Sequence, residues 1–123
     1  MANQETQAGA SGRLPDVVME RVADRFRLLG DPTRLRLVNE LHADGELSVG
    51  ELVERVGMSY GAVSKQLALL RSNSIVARRR EGTRIYYRIS DPSIGDLCDA
   101  VCKRMRTDWA DWGAQLEAQL SQN

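Results

Sequence analysis

The sequence predicts a mainly α-helical domain with one small β-hairpin, and three observations indicate this fold class. Two short amphipathic patterns meet at a tight turn between Ser48 and Leu70. Two segments rich in β-branched, aromatic and arginine residues follow directly, and a long apolar stripe occupies the last part of the chain. A length of 123 residues, with 42% hydrophobic and 28% charged residues, is typical of one globular domain.

The stretch from Ser48 to Leu70 predicts two short helices joined by a turn. Ser48 and Glu51 have the spacing of a capping box, in which the two residues satisfy each other's backbone donors. Gly57 is suited to end the first helix because glycine readily adopts the left-handed conformation, and Ser59 is suited to cap the second. The pattern is therefore that of a helix-turn-helix.

The second helix of this pair has an apolar inner face and a small, polar outer face. Val63, Leu67 and Leu70 recur at i, i+4 and i+7 and are expected to face inward. The residues left on the outside are Tyr60, Gly61, Ser64, Lys65 and Ala68, with Gln66 between the two faces. Such side chains suit base edges and phosphates, although an ordinary surface helix can have the same spacing.

The basic segments that follow predict a hairpin. Its strands run from Ile75 to Arg80 and from Arg84 to Ile89. Alternation in the second strand puts Ile85, Tyr87 and Ile89 on one face and Arg84, Tyr86 and Arg88 on the other. Together the elements predict a winged helix-turn-helix of about five helices and a two-stranded wing. In this fold the second helix enters the major groove and the wing reaches adjacent backbone or minor groove.

Positive charge is concentrated on this predicted surface. Residues 59–88 carry seven Lys or Arg and one Glu, whereas the whole chain has 17 basic and 17 acidic residues. A basic patch on a neutral body favours a specific DNA-binding protein, and the alternative is a solvated hairpin paired with acidic neighbours. The candidate DNA-binding residues are Ser59, Tyr60, Gly61, Ser64, Lys65, Gln66, Arg71, Arg78, Arg79, Arg80 and Arg84.

Two helices are predicted before the helix-turn-helix. The first runs from Leu14 to Leu29. Asp31 caps the second, Pro32 lies in its first turn, and its predicted buried stripe is Leu35, Val38 and Leu41. His42, near the end of this helix, is expected to be a surface residue favoured by the helix dipole.

The last helix is predicted from Pro92 to Leu120. Its apolar stripe is broad and comprises Ile94, Leu97, Cys98, Val101, Cys102, Met105, Trp109, Trp112 and Leu116. Such a stripe needs a partner, so we expect a homodimer formed through the N-terminal and C-terminal helices. A twofold dimer places two recognition helices about one helical turn of duplex DNA apart, which matches a palindromic operator.

The N-terminal residues, the length of the apolar runs and the number of cysteines together predict a cytoplasmic protein. Residues 1–12 are small and polar and are expected to be a disordered lead-in, so the domain covers residues 13–120. No apolar run approaches the roughly 18 residues of a membrane span, and no membrane partner is expected. Two cysteines in 123 residues do not form a secreted disulfide framework.

Three short motifs carry a family resemblance. They are Asp31-Pro32-Thr33-Arg34 at a helix start, Ala62-Val63-Ser64 in the recognition helix and Arg80-Glu81-Gly82 at the wing. At these spacings the chain, from about Val17 to Met105, resembles the ArsR/SmtB family of bacterial winged-helix repressors. The resemblance implies a homodimer that occupies an operator and leaves it when an inducer binds. The family's inducers are commonly thiophilic or borderline metals, arsenicals or oxidised sulfur species.

Two sensing sites of that family are missing or incomplete in this sequence. The arsenical and lead box, ELCVCDL, stands here as ELSVGEL at residues 46–52, so both thiolates are absent. The zinc site of the last helix is matched only at Asp91, and the other positions are Ser93, Arg104 and Thr107. A lone carboxylate does not hold zinc.

Cys98 and Cys102 remain as the sensing candidates. At i and i+4 they share a helix face, where two thiolates can hold one soft ion or form a disulfide. No cofactor is expected to be required, and the candidate ligand is a thiophilic ion such as zinc, cadmium or mercury. The alternative is that both cysteines pack as small hydrophobes and that the inducer is different or absent.

Three function classes follow. The favoured class is a dimeric DNA-binding repressor that a thiophilic metal or thiol oxidation releases from its operator. A thiol enzyme using Cys98 is disfavoured because the chain has no Cys-x-x-Cys pair and His42 belongs to a separate helix. A winged helix used only for protein contact would expose apolar groups rather than arginine on its wing.

Overall fold

The structure, a computed structural model, describes residues 12–121. Its elements in chain order are α1 (Asp16–Leu29), α2 (Pro32–Asp44), β1 (Glu46–Ser48), α3 (Val49–Val56), α4 (Tyr60–Ser72), β2 (Val76–Glu81), β3 (Arg84–Ile89) and α5 (Pro92–Ser121). The predicted mainly α-helical winged fold is confirmed. Of the expected lead-in, only Gly12 lies among the described residues.

The helix-turn-helix of α3 and α4 is built on the predicted capping residues. Ser48 N donates to Glu51 Oε1 at 3.0 Å and Ser48 Oγ accepts from Glu51 N at 3.1 Å, which completes the capping box. Gly57 has a left-handed φ of 69°, and Ser59 Oγ accepts from Ala62 N at 3.2 Å. Sequence signals alone therefore define both helix starts and the turn.

The sheet contains one strand more than the predicted wing. Its order is β1-β3-β2, all antiparallel, with Leu47 opposite Tyr87. The predicted wing corresponds to β2 and β3. β1 is not apparent from the sequence, because a strand of three residues is too short to show alternation. β1 adds Glu46 to the outer face of the sheet, opposite Arg88.

The core lies between α2, α3, α4 and the inner face of the sheet. Its fully buried side chains are Leu37, Leu41, Leu52, Leu67, Leu70, Ile75, Val38 and Val63. The prediction for α2 needs one correction, since Leu35 is 43% exposed and Leu37 is 0% exposed. Both leucines are compatible with the helical spacing, but Leu37 faces the core while Leu35 borders an apolar cleft between α1, α2 and α5.

α5 packs against the core only through its first turns. Ile94 and Cys98 are buried there. Leu97 and Cys102 are half-buried, and the other members of the predicted stripe are exposed in the single chain, namely Val101, Met105, Trp109, Trp112 and Leu116. No helix within residues 12–121 combines the length and apolar character needed to cross a membrane.

Candidate nucleic-acid interface

The outer face of α4 is open to solvent and carries most of the predicted groove-facing residues. The inner residues Val63, Leu67 and Leu70 are 0% exposed, which fixes the rotation of the helix. Ser59, Tyr60, Gly61, Lys65 and Arg71 are exposed, and Ser64 and Gln66 are half-buried. This face therefore offers hydroxyl, ammonium, amide and guanidinium groups of the kinds that contact bases and phosphates.

The wing places arginines beside the end of α4. β2 and β3 are joined by a two-residue turn in which Gly82 has a φ of 62°. Arg78 lies opposite Tyr87 and Arg80 lies opposite Ile85, so these arginines share one face of the sheet. The concavity where β2 meets the end of α4 is lined by Arg71, Arg78, Arg79, Arg80 and Ile85. The structure thus brings cations of the helix and the wing to one surface.

Arg79 differs from its neighbours because its guanidinium is bound on the outer face of the sheet. Arg79 Nε lies 3.0 and 2.9 Å from the two carboxylate oxygens of Glu46, and Nη1 donates to Glu81 Oε2 at 2.8 Å. The guanidinium carbon lies 4.6 Å from the ring centroid of Tyr86. Hydrogen bonds from Arg79 lower the pKa of Glu46. Arg79 is adjacent in sequence to Arg78 and Arg80 and is predicted to bind DNA with them, but alternation places it on the opposite face of the sheet.

Arg84 at the tip of the wing borders the start of α4. It lines a groove with Thr83 and Tyr60, whose side chain is 57% exposed. The acidic residues Glu51 and Glu54 border the same groove. Hydrogen bonds from the backbone and side chain of Ser48 lower the pKa of Glu51. The groove therefore combines a cation and three hydroxyls, since Ser48 also lines it, with two carboxylates.

Arg34 also lies at this surface, although the sequence does not mark it as a DNA-binding residue. Arg34 Nη1 donates to Gln66 Oε1 at 3.0 Å, and Arg34 Nε donates to Leu28 O at 2.6 Å. The motif at the start of α2 places Arg34 in the first helical turn. However, no sequence signal indicates that its side chain reaches a residue 32 positions away.

The two cysteines lie next to each other at the inner edge of the α5 stripe. Cys98 Sγ lies 3.5 Å from Cys102 Sγ and 3.6 Å from Asn39 Oδ1. Burial, followed by the neighbouring Cys102, raises the pKa of Cys98 to about 11. Within residues 12–121, no group of three or more His, Cys, Asp or Glu side chains is placed to hold a metal ion. Two thiols are fewer than the four ligands of a tetrahedral thiophilic site.

His42 is more than a surface residue at a helix end. It lies in the last turn of α2, as predicted, but its Nε2 is 2.7 Å from Asp99 Oδ1 on α5. Its side chain is 32% exposed. The sequence did not indicate this contact because Asp99 is 57 residues away.

Known proteins resemble the chain in sequence and in fold. A family model described as bacterial regulatory protein, arsR family, matches residues 31–77. The HTH-type transcriptional regulator KmtR of Mycobacterium tuberculosis is 44% identical over 89 residues, which cover 72% of this chain and 68% of that protein. The probable mercury resistance operon repressor of Streptomyces lividans is 36% identical over 88 residues, covering 72% of this chain and 70% of that protein.

The solved structures agree with the sequence relatives. The crystal structure of Mycobacterium tuberculosis Rv0081 matches with a TM-score of 0.67 and 33% identity, and the match covers 76% of this chain and 94% of that one. The relatives have the names of transcriptional regulators and repressors, which agrees with the expectation that the chain is not an enzyme. The chain therefore belongs to the arsR family of bacterial regulatory proteins and is a DNA-binding transcriptional regulator with a winged helix-turn-helix fold.

Proposed function

We propose that the chain acts as a homodimeric repressor that binds a palindromic duplex operator through α4 and the wing. A thiophilic metal ion or thiol oxidation at Cys98 and Cys102 then releases it. The observation that carries the DNA-binding part is the open surface that Arg71 at the end of α4 shares with the wing arginines Arg78 and Arg80. Release by a soft ligand rests on the close sulfur pair.

The candidate DNA contacts have two different roles. Tyr60, Ser64 and Gln66, on the outer face of α4, are assigned to base edges in the major groove. The residues assigned to phosphates or to the adjacent minor groove are Ser59, Gly61, Lys65, Arg71, Arg78, Arg80 and Arg84. Arg79 retains an indirect role in this proposal. Its contacts with Glu46 and Tyr86 hold the wing in place. We therefore assign Arg79 to maintaining the geometry of the wing rather than to contacting DNA.

Dimerisation through α1 and α5 is supported by the apolar surface that these helices expose. On α1, Val17 is 63% exposed and Phe26 is 57% exposed. On α5, Met105, Trp109 and Trp112 are 56%, 68% and 56% exposed. A second copy of the chain offers the same two helices, so a twofold interface covers both stripes at once. Two recognition helices related by this axis suit a palindromic site.

The sulfur pair suits tetrahedral ligation. Two Zn–S bonds of ~2.3 Å at a tetrahedral angle place their sulfur atoms about 3.8 Å apart. The observed separation of 3.5 Å is close to this value, whereas a linear mercury ion requires the sulfurs to move apart. Zinc or cadmium held by Cys98 and Cys102 of two copies is the arrangement we favour. Cys98 and Cys102 of the two subunits would then hold the ion between helices α5, and this link would change the spacing of the recognition helices.

A second candidate is a regulator of the same fold in which the cysteine pair only packs. Two observations favour it. Cys98 is 7% exposed among apolar residues, and its raised pKa disfavours the thiolate that a metal needs. In that case the inducer is a different molecule or is absent.

The test is duplex selection with the purified protein, followed by binding assays with zinc, cadmium, mercury and an oxidant, each with and without reductant. We expect a palindromic sequence to be enriched and at least one soft ion or oxidant to release it. The matched variant is Cys98→Ser combined with Cys102→Ser, which should bind the operator and resist release. If the double variant leaves the operator at the same ion or oxidant concentrations as the wild type, the result supports the second candidate.

A further inference from the structure

The motif at the start of α2 contains a side chain to which the proposed function assigns no role. Asp31 Oδ2 accepts a hydrogen bond from Arg34 N at 3.0 Å, which fixes Arg34 in the first turn of α2. The Arg34 side chain then leaves α2 and contacts two other elements. Its Nε donates to Leu28 O in the last turn of α1, and its Nη1 donates to Gln66 Oε1 on α4.

The chemistry of this contact determines which way the Gln66 amide points. A guanidinium has only donors, whereas the glutamine amide has one accepting oxygen and one NH₂ group. The Gln66 oxygen must therefore face Arg34, and the NH₂ group is turned away. Leu28 O can accept this bond because carbonyls in the last turn of α1 have no partner within the helix. The bond to Leu28 O in turn holds the guanidinium of Arg34 in place.

The Gln66 amide borders an open hollow on the outer face of α4. Arg34, Lys65, Gln66 and Ser72 are among the residues that line it. Both Arg34 and Gln66 are half-buried, so their contact is partly shielded from water. A shielded hydrogen bond preserves the orientation of the amide better than an exposed one.

We propose that Arg34 is a positioning residue for DNA reading, which turns Gln66 so that its NH₂ group meets the major groove as a hydrogen-bond donor. The inference rests on the proposed function, in which Gln66 contacts a base. A glutamine whose amide oxygen and NH₂ group are both available pairs with N6 and N7 of adenine. With its oxygen held by Arg34, Gln66 should instead favour guanine, whose N7 and O6 are both acceptors.

The experiment measures base preference in the selected duplex. The base pair that Gln66 reads is the one whose preference is lost in Gln66→Ala, and we expect guanine there for the wild type. Arg34→Met should lower discrimination at the same base pair about fivefold to tenfold, the effect of one hydrogen bond. Arg34→Lys, with a single nitrogen, should keep part of the preference. Arg36→Met is the matched control, because Arg36 is an exposed arginine of α2 two residues away.

Several outcomes contradict the inference. These are a wild-type preference for adenine at that base pair, Arg34→Met with unchanged preference, or Gln66→Ala with no change at any base pair. A uniform loss of affinity in Arg34→Met, with the salt slope reduced by about one per subunit of the dimer, would instead identify Arg34 as a phosphate contact. If the wild type selects no duplex at all, the proposed function itself fails. Circular dichroism of each variant checks folding, and Arg34→Lys carries the test if Arg34→Met does not fold.

Discussion

His42 Nε2 on α2 lies 2.7 Å from Asp99 Oδ1 on α5, and the glycine at position 95 leaves the space for the imidazole ring. A Cβ atom at Gly95 would lie 2.9 Å from His42 Cε1 and 3.0 Å from Nδ1. These distances are too short for an ordinary contact. α2 and α5 are therefore joined by a polar contact that any larger residue at position 95 disturbs.

The two glycines of α5 should respond differently to alanine. At Gly113 no atom lies within 4 Å of an added Cβ, so Gly113→Ala should stabilise the fold by about 1 kcal/mol through helix propensity. Gly95→Ala should gain less or should destabilise, because the His42 ring must move away from Asp99. Thermal unfolding followed by circular dichroism compares the two variants. Equal stabilisation would show that the His42 ring relocates without loss.

Salt dependence should separate the wing arginines. A dimer that neutralises six to ten phosphates should lose ~10³-fold to 10⁵-fold in affinity between about 50 and 200 mM salt. Arg80→Ala should weaken binding to all duplexes alike and reduce the salt slope by about one for each subunit of the dimer. Arg79→Ala should change the slope less, since Glu46 and Glu81 already neutralise its charge. Fluorescence anisotropy across a salt series measures both slopes, and equal slope changes for the two variants would place Arg79 on the phosphates.

The exposed stripe of α5 should be required for dimerisation. Met105→Glu places a charge in the centre of that stripe and is expected to give a monomer with weakened operator binding. Thr107→Glu is the matched control, because it adds the same charge about 200° away around the helix. Sedimentation velocity measures the mass of each variant. A dimeric Met105→Glu protein would mean that the subunits associate through other surfaces.

Stability should fall at high pH because of Cys98. The folded state raises the pKa of this thiol from its ordinary value of 9.0 to about 11, so folding favours the protonated form. This contribution is fully present below pH 9 and is lost as the pH rises through about 11. Urea unfolding at increasing pH should show the decline in the wild type and a smaller one in Cys98→Ser. Alkylation of Cys98 at neutral pH should be slow for the same reason.

Most of the helices, and the inner and outer faces of α4, could be predicted from sequence because their signals are local. Gly57 and Ser59 mark the turn, and the spacing of Val63 with Leu67 defines the inner face of α4. Long-range partners could not be predicted. The contact of Arg79 with Glu46 joins residues 33 positions apart through the undetected strand β1. Likewise, the burial of Leu37 in place of Leu35 depends on which face of α2 the other elements cover.

The guanidinium held between Glu46 and Tyr86 has a consequence for the thermodynamics of operator recognition. A hairpin that is ordered only on contact with DNA must lose conformational entropy at that moment. Here Glu46, one of the two acidic partners of Arg79, lies on a strand outside the wing, so the β2-β3 arm is already anchored in the unbound protein. Calorimetry of operator binding should therefore record a smaller unfavourable entropy for the wild type than for a variant in which Glu46 is replaced by alanine.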